Sequence, residues 1–567
     1  MKTRPHQARP PEQYALGIDF GTLSARALLV EIASGKEIAT SVAAYGDGVI
    51  EERLPGQTRR LSADAALQNP ADYLTAFKVS VKKLLRESGI PAQQIGSIGI
   101  DFTSCTILPT DAEGGPLCLQ PRWRHNPHAW VKLWKHHAAQ AQADKINASG
   151  AARGEPFINA YGGKYSCEWF FSKVLETLEA SPDLYHAASR FIEAGDWIVW
   201  QLCGQERRSL SLAGFKAMWV HPDGNGGWGY PSPDFFASLH PKLRNVVAEK
   251  LPSSYFPLSS VAGGLTPAMA KATGLLEGTP VAVANIDAHA AVPACTVTTP
   301  GKLVMILGTS TCHLLLGETR QEVEGVCGVV QDGVVNGLWG YEAGQAGVGD
   351  LFAWYMEHSA PASVLTAARK SGMDIYSYLA KEAATLKPGE SGLIALDWWN
   401  GNRSVLVDAD LSGMIVGASL GTRPHEIYRA LIEATAFGTR RIMEAFTDQD
   451  IRIDEVYACG GLAKKNALLM QIYADVTGRP IQVASSDQAC ALGAAMHAAV
   501  ASGAYPNMTE AAEKMAKLER RVYKPNPVNH DVYEILYAEY CRLHDLFGRG
   551  QNGTMKLLKQ LRKQALG

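Results

Sequence analysis

The chain has 567 residues and ten scattered cysteines, with no C-x-x-C pair. That pattern argues against a zinc ribbon or a disulfide framework and for reduced thiols, with Cys295, Cys312 and Cys459 read as small core fillers. No apolar run is long enough to span a bilayer. Charge of either sign is nearly balanced: 54 Lys and Arg against 56 Asp and Glu leave a formal net charge of −2. Nothing broad therefore attracts nucleic acid or an anionic membrane. Short-period repeats are lacking, which sets solenoids aside. Residues 1–13 are polar, basic and proline-rich without the apolar stretch of a secretory signal, so a flexible tail and a cytoplasmic setting are expected. What is present, 46% hydrophobic and 19% charged residues, is a globular composition long enough for two large domains.

Two segments carry the strongest signal. Leu16-Gly17-Ile18-Asp19-Phe20-Gly21-Thr22 runs into Ser24-Ala25-Arg26 and an apolar stretch from Ala27 to Val30. Leu303-Val304-Met305-Ile306-Leu307-Gly308-Thr309-Ser310-Thr311 runs into Leu314 to Leu316. In each, an apolar strand meets a Gly-Thr turn and resumes as a second strand. Glycine lets backbone approach a ligand closely, and successive N–H groups with a threonine hydroxyl suit phosphate oxygens. Asp19 adds a carboxylate of the kind that holds hydrated Mg²⁺. Two such turns, about 290 residues apart, imply a duplicated fold with a nucleotide in the cleft between the halves. A third turn, Cys459-Gly460-Gly461 leading to Asn466, joins a strand to a helix, where a nucleoside or phosphate can approach the backbone; a plain tight turn is the alternative. Asp287 follows the apolar run Val281–Ala284. There it is either a cleft carboxylate or a helix N-cap.

Strands are expected at 14–20, 25–32 and 37–44, then a helix over 71–86 and a buried strand over 95–101. This β-β-β-α-β order is the opening of an actin-like half. Helices follow at roughly 127–147, 165–180, 183–203 and 266–274, with a loop at Asp223–Gly227 and a strand at 280–285. The second half offers strands 302–307 and 311–317, then 326–331 and 334–341 parted by Asp332-Gly333 in hairpin style. A long helix over 423–447, strand 455–459, helix 464–477, strand 481–484 and helix 489–502 complete it. The fold class expected is α/β, with two actin-like (ribonuclease H-like) ATPase domains and an interdomain cleft. The division is a tail at 1–13, domains at 14–298 and 299–505, and a helical extension at 506–567.

Further motifs recur in order: CEWFF at 167–171, GDWIVWQLCG at 195–204, GFKAMW at 214–219, NIDAHAA at 285–291, GYEAGQAGVGD at 340–350, LDWWNG at 396–401 and ATAFGTRRIMEAFTDQ at 434–449. With GIDFGT, LGTSTC and CGGLAKKN they resemble the FGGY carbohydrate kinases of the actin-like ATPase superfamily. The resemblance covers nearly the whole chain except its termini. It implies ATP- and Mg²⁺-dependent phosphorylation of a small sugar, and the pattern sits nearest the members that phosphorylate L-ribulose to L-ribulose 5-phosphate in arabinose use. Asp287 then matches the base that takes the sugar hydroxyl proton, and Asp19 the Mg²⁺-side carboxylate. Gly21, Thr22, Arg26, Gly308, Thr309, Ser310, Gly460, Gly461 and Asn466 fall on the nucleotide side. Lys216 and Glu342 fall on the sugar side, with Trp134 and Ser104 as further contacts; core packing explains Trp134 nearly as well.

Two positions depart from the family pattern. Cys459 stands where a first glycine is usual, and His136 where many members carry an aspartate two residues after the tryptophan. The pairs His136-His137 and His125/His128 read as ordinary histidines rather than a metal site, and Trp398-Trp399 as an aromatic core pair. Neither nucleic acid nor membrane is expected as a partner, and a homodimer is left open. The rivals are a kinase for ribitol, xylulose or another polyol, a non-catalytic sugar-binding regulator, and a chaperone-type ATPase.

Overall fold

Glycine-containing turns fold residues 14–44 into an antiparallel meander of β1 (Tyr14–Phe20), β2 (Ser24–Glu31) and β3 (Glu37–Ala44), with Asp19 opposite Arg26. The computed structural model describes residues 13–62, 64–220, 229–251 and 254–566; the loop expected at Asp223–Gly227 and tail residues 1–12 lie outside them. Helix α1 (Pro70–Ser88) starts where Asn69 accepts the Ala71 N–H and stops at Gly89, whose φ of 66° few other residues adopt. It leads to β4 (Ile95–Phe102), fully buried and parallel to β1, with Gly17 beside Gly99 and Asp19 beside Asp101. Strands β5 (Val261–Gly264), β6 (Pro280–Ala282) and β7 (Asn285–Ile286) complete a seven-stranded sheet of order β5-β6-β4-β1-β2-β3, with β7 also pairing β4. From β7 the chain turns directly into α2 (Asp287–Ala294).

The second half repeats the plan. β8 (Lys302–Leu307), a Gly-Thr turn and β9 (Thr311–Gly317) form a hairpin extended by β10 (Gly328–Gln331) and β11 (Trp339–Gln345). After α3 (Pro424–Thr447), β12 (Glu455–Cys459) pairs parallel to β8, just as β4 pairs with β1. Helices α4 (Gly461–Lys465) and α5 (Ala467–Thr477) lead to β13 (Ile481–Ala484), and α6 (Ala489–Ala501) to β14 (Leu518–Tyr523). The sheet order is β10-β11-β9-β8-β12-β13-β14.

Helix α6 belongs to the second half in sequence but lies against the first sheet. A Cβ at Gly17 would come within 1.8 Å of the Ala491 carbonyl oxygen, and one at Gly99 within 1.9 Å of that of Ala494. Gly493 in turn lets α6 meet α2, where a Cβ would stand 1.7 Å from the Ala290 oxygen. Bare backbone is what permits this contact on both sides.

Several expected elements differ. The helix over 127–147 is a single turn at Pro127–Ala129, a strand at Val131–Lys132, and a helix only from Gln140 to Arg153. The helix over 183–203 is broken by a strand at Arg190–Glu193. Both interruptions belong to a four-stranded antiparallel sheet with 67–68 and 107–110, so distant pairing overrides local helical preference. The 165–180 helix begins only at Phe170, and Asn466 divides the 464–477 helix. Residues 332–338 form a longer loop than a two-residue hairpin turn. The segment 506–567, expected to be helical, also contributes β14 to the second sheet. No helix among the described residues is long and apolar enough to cross a membrane.

Candidate active site

Strand register gathers the acids. Asp19 and Asp101 are neighbours on β1 and β4; Asn285 pairs with Asp101 from the other side, and Asp287 follows it at the start of α2. Asp19 is bound by Arg26, Nη1 to Oδ2 at 2.9 Å. Asp287 is half-buried and its Oδ1 accepts the Ala288 N–H at 2.7 Å, so the carboxylate does serve the helix start. Its other oxygen has no such duty. Burial, then the negative charge of Asp19, raise Asp287 to about 7. Such a group can take up and release a proton near neutrality. Asp101 is wholly buried and pushed well above the usual carboxylate range by burial and then by Asp19 and Asp287. Sequence reading passed over it as part of a buried strand.

The first Gly-Thr turn is closed by the Gly21 N–H donating to the Ser24 oxygen at 3.0 Å. The Thr22 hydroxyl accepts from the indole N–H of Trp134 at 3.1 Å. In the second turn Gly308 N–H donates to Ser310, and Val348 and Asp350 N–H groups both donate to the Thr309 carbonyl. The Thr309 side of the turn is exposed. Gly460 has φ 92°, and a Cβ there would stand 2.5 Å from the Leu307 oxygen, so the Gly460-Gly461 turn abuts the strand entering the second Gly-Thr turn. Asn466 lies off this cradle in its bonding: its Oδ1 caps α5 by accepting the Leu469 N–H, and its amide donates to Tyr428.

Lys216 and Glu342, 126 residues apart, form a buried pair with Nζ–Oε distances of 2.7 and 2.8 Å. His289, from α2, reaches the same carboxylate at 3.0 Å. Burial alone would raise Glu342, yet Lys216 and His289 bring it down to about 2. For Lys216 burial acts to lower the ammonium, and Glu342 outweighs it. Glu342 and Lys216 are both near enough to Asp287 to act on its charge. Cys312 packs against the first core, as expected, and also feels the charges of Glu342, Arg403, Asp287 and Lys216; burial first and Glu342 next push its thiol up.

Trp134 is half-buried. On one side it holds Thr22; over its face lies the Arg403 guanidinium, 5.4 Å from the ring centre. Arg403 also binds Glu168 at 3.1 Å, and Glu168 binds His137 at 2.9 Å. Ser104 is half-buried at the end of β4 with only a long contact, 3.9 Å, to the Cys105 thiol. His136 points away into a buried cluster with Glu176 at 3.0 Å and takes the Ala66 N–H, so its departure from the family pattern is structural. Trp398 is core, whereas Trp399 lines an open interlobe cavity of about 730 Å³ with Trp354, Lys135 and Asp350. That cavity is not lined by Asp19, Asp287 or Lys216. His289, Glu168 and Arg403 were not singled out from sequence.

Asp19, Asp101 and Asp287 have one bonded cation among them, Arg26. A hydrated divalent ion accompanying a nucleotide fits this donor set. No three His, Cys, Asp or Glu side chains among the described residues form a closed metal cage.

Comparison with known proteins is consistent along the chain. Residues 14–293 match the N-terminal domain, and 303–502 the C-terminal domain, of the FGGY family of carbohydrate kinases. A ribulokinase of Geobacillus thermodenitrificans is 53% identical over 559 residues, covering 98% of each chain, and one of Mycolicibacterium smegmatis 47% identical, covering 98% of this chain and 97% of that one. Among solved structures, a ligand-bound xylulose kinase from Lactobacillus acidophilus superposes with a TM-score of 0.74 at 18% identity, covering 94% of this chain and 98% of that one. Plasmodium falciparum glycerol kinase with ADP gives 0.70 at 14% identity, covering 93% and 97%. The two-domain sugar-kinase fold, the paired Gly-Thr turns and these matches together make the chain a member of the FGGY family of carbohydrate kinases.

Proposed function

We propose that the chain is a ribulokinase, transferring the γ-phosphoryl group of ATP to L-ribulose to give L-ribulose 5-phosphate and ADP. The observation that carries this reading is the position of Asp287. Its carboxylate starts α2 between Asp19, beside the first Gly-Thr turn, and the buried Lys216–Glu342 pair. Near-full-length identity of 47–53% to relatives named ribulokinase supports the sugar.

In this reading Asp287 aligns the sugar hydroxyl and takes its proton as the oxygen attacks phosphorus. Phosphoryl transfer asks mainly for positioning and charge stabilisation. With the Gly21 and Gly308 N–H groups closing the turns, the backbone N–H groups of Thr22, Thr309 and Ser310 and the two threonine hydroxyls hold phosphate oxygens, and Gly460-Gly461 gives the nucleoside close access. Arg26 acts through Asp19, to which it is bonded. Lys216 has three N–H donors and Glu342 takes up to two, which leaves one for a sugar oxygen. Trp134 offers an apolar face to C–H groups, and Ser104, two residues past β4, offers a hydroxyl. Mg²⁺, when bound with ATP, supplies charge neutralisation at the phosphates, and Asp19 is on its side of the site. Ten unpaired thiols support a reducing, cytoplasmic setting.

The test is coupled ADP release across L-ribulose, D-ribulose, xylulose and ribitol, with and without Mg²⁺. Turnover strongest on L-ribulose and absent without the cation is expected. Equal or better turnover on xylulose or ribitol would reassign the substrate, and no sugar-dependent ADP release would remove the kinase reading.

A further inference from the structure

Asp101 is the acid in this site without a positive or hydrogen-donating neighbour bonded to it. It is 0% exposed, no donor group bonds to either carboxylate oxygen, and the side chain within hydrogen-bonding reach of it is another acid, Asp19. Buried polar atoms in that condition call for an explanation. Strand parity explains where it faces. Gly17 and Gly99 are paired and both lie under the backbone of α6. Two residues further on, Asp19 and Asp101 are paired, face the same way, and pass beyond the first turn of that helix, where Cys490 sits in the field of both. The sheet therefore presents two adjacent carboxylates at the junction of the halves.

The neighbours that might have satisfied Asp101 are otherwise engaged. Arg26 bonds to Asp19. Asn285, its partner on β7, spends Oδ1 on the Ile286 N–H and its amide on His497, whose other ring nitrogen bonds Ser259. Lys216 is bonded to Glu342. What faces Asp101 is acid on both sides, Asp19 and Asp287.

We propose that Asp101 is the second carboxylate of the cation site: together with Asp19 it accepts hydrogen bonds from the water shell of the divalent ion that accompanies the nucleotide, and so positions that ion against Asp287. This rests on the kinase reading above. A small hard cation keeps several waters and needs one or two carboxylates besides the phosphates, which agrees with the two adjacent acids Asp19 and Asp101. Asp101 is thus a positioning residue, acting through bound water rather than on the sugar.

The experiment measures Mn²⁺ affinity by electron paramagnetic resonance on the full chain in the presence of ADP, alongside ADP affinity in EDTA. Asp101→Asn is near-isosteric, and Asp101→Ser removes the charge without adding bulk. Both should weaken Mn²⁺ by roughly 10- to 100-fold, the usual effect of losing an outer-sphere partner, while metal-free ADP affinity and the melting temperature stay close to those of the parent. Either folded variant keeping the parent's Mn²⁺ affinity overturns the inference, as does an equal loss of metal-free ADP binding, which marks a structural role. Should the parent itself bind no Mn²⁺ with ADP and phosphorylate ribulose without a cation, the cofactor reading falls instead, and the two failures are told apart.

Discussion

At the scale of single residues, the chemistry concentrates on groups whose charge is set by their neighbours. Asp287→Asn keeps the shape of the site but removes the proton acceptor; a loss of ~10²–10⁴ in kcat with sugar affinity retained is expected, measured by steady-state turnover and by calorimetric ribulose binding. A base must be ionised to act, and Asp287 sits at about 7 without a cation. kcat/KM should therefore fall as pH drops through an acid limb at or below 7, and the limb should move to higher pH when Mg²⁺ is made limiting. A limb that ignores Mg²⁺ would separate the base from the cation. For the Lys216–Glu342 pair, removing one partner strands a buried charge, costing ~3–5 kcal/mol, and removing both costs less than the sum. Urea melts of Lys216→Met, Glu342→Gln and the double variant read this directly. Asp19, Lys216, Asp287 and Glu342 could be picked out as candidates because each stands at a chemically marked place: beside a Gly-Thr turn, in an aromatic run, after a strand or in a Gly-rich strand. Asp101, His289, Glu168 and Arg403 could not, since their settings come from strand register or from partners such as Glu168 and Arg403, 235 residues apart.

At the scale of elements, local signals worked where the structure is local. The β1–β3 meander was read to within one residue because turn glycines and apolar runs fix it. Helices over 127–147 and 183–203 were misread because the strands inside them exist only by pairing with 67–68 and 107–110. Asn466 shows the same limit: as a helix cap its side chain interrupts what periodicity reads as one helix. The glycines read from sequence were those of the Gly-Thr and Gly-Gly turns, whereas Gly17 and Gly99, within strands, serve packing against α6. Gly99→Ala forces a Cβ into the Ala494 carbonyl and should destabilise by ~1–3 kcal/mol or more. Thermal melting checks it, and an unchanged midpoint would mean that α6 can shift freely on the sheet.

At the scale of the whole molecule, several bonds tie residues before 299 to residues after it. Besides Lys216–Glu342 and Glu168–Arg403, Lys164 donates to the Leu406 carbonyl at 2.9 Å and Gly325 N–H to Gly162 at 2.8 Å. In the proposed reading, bonds of this kind hold the halves together and keep water from competing with the sugar for the phosphoryl group. Arg403 is central to it, stacked on Trp134 and paired to Glu168. Arg403→Ala should raise KM for ribulose severalfold, leave KM for ATP nearly level, and increase sugar-free ATP hydrolysis. If neither sugar affinity nor idle hydrolysis changes, the bridge is not part of closure. The duplicated strand-turn-strand plan was legible from the repeated Gly-Thr pattern; the bridges were not, since nothing in a linear chain marks which loops will meet.

The placement of α6 has a consequence for how the protein comes apart. A cut near residue 299 would not yield two self-sufficient pieces, because the stretch that fills the trough along Gly17 and Gly99 would leave with the other fragment. The seam of the folded object and the midpoint of its string are different places. Synthesis must reach the last fifth of the chain before the opening sheet receives its cover.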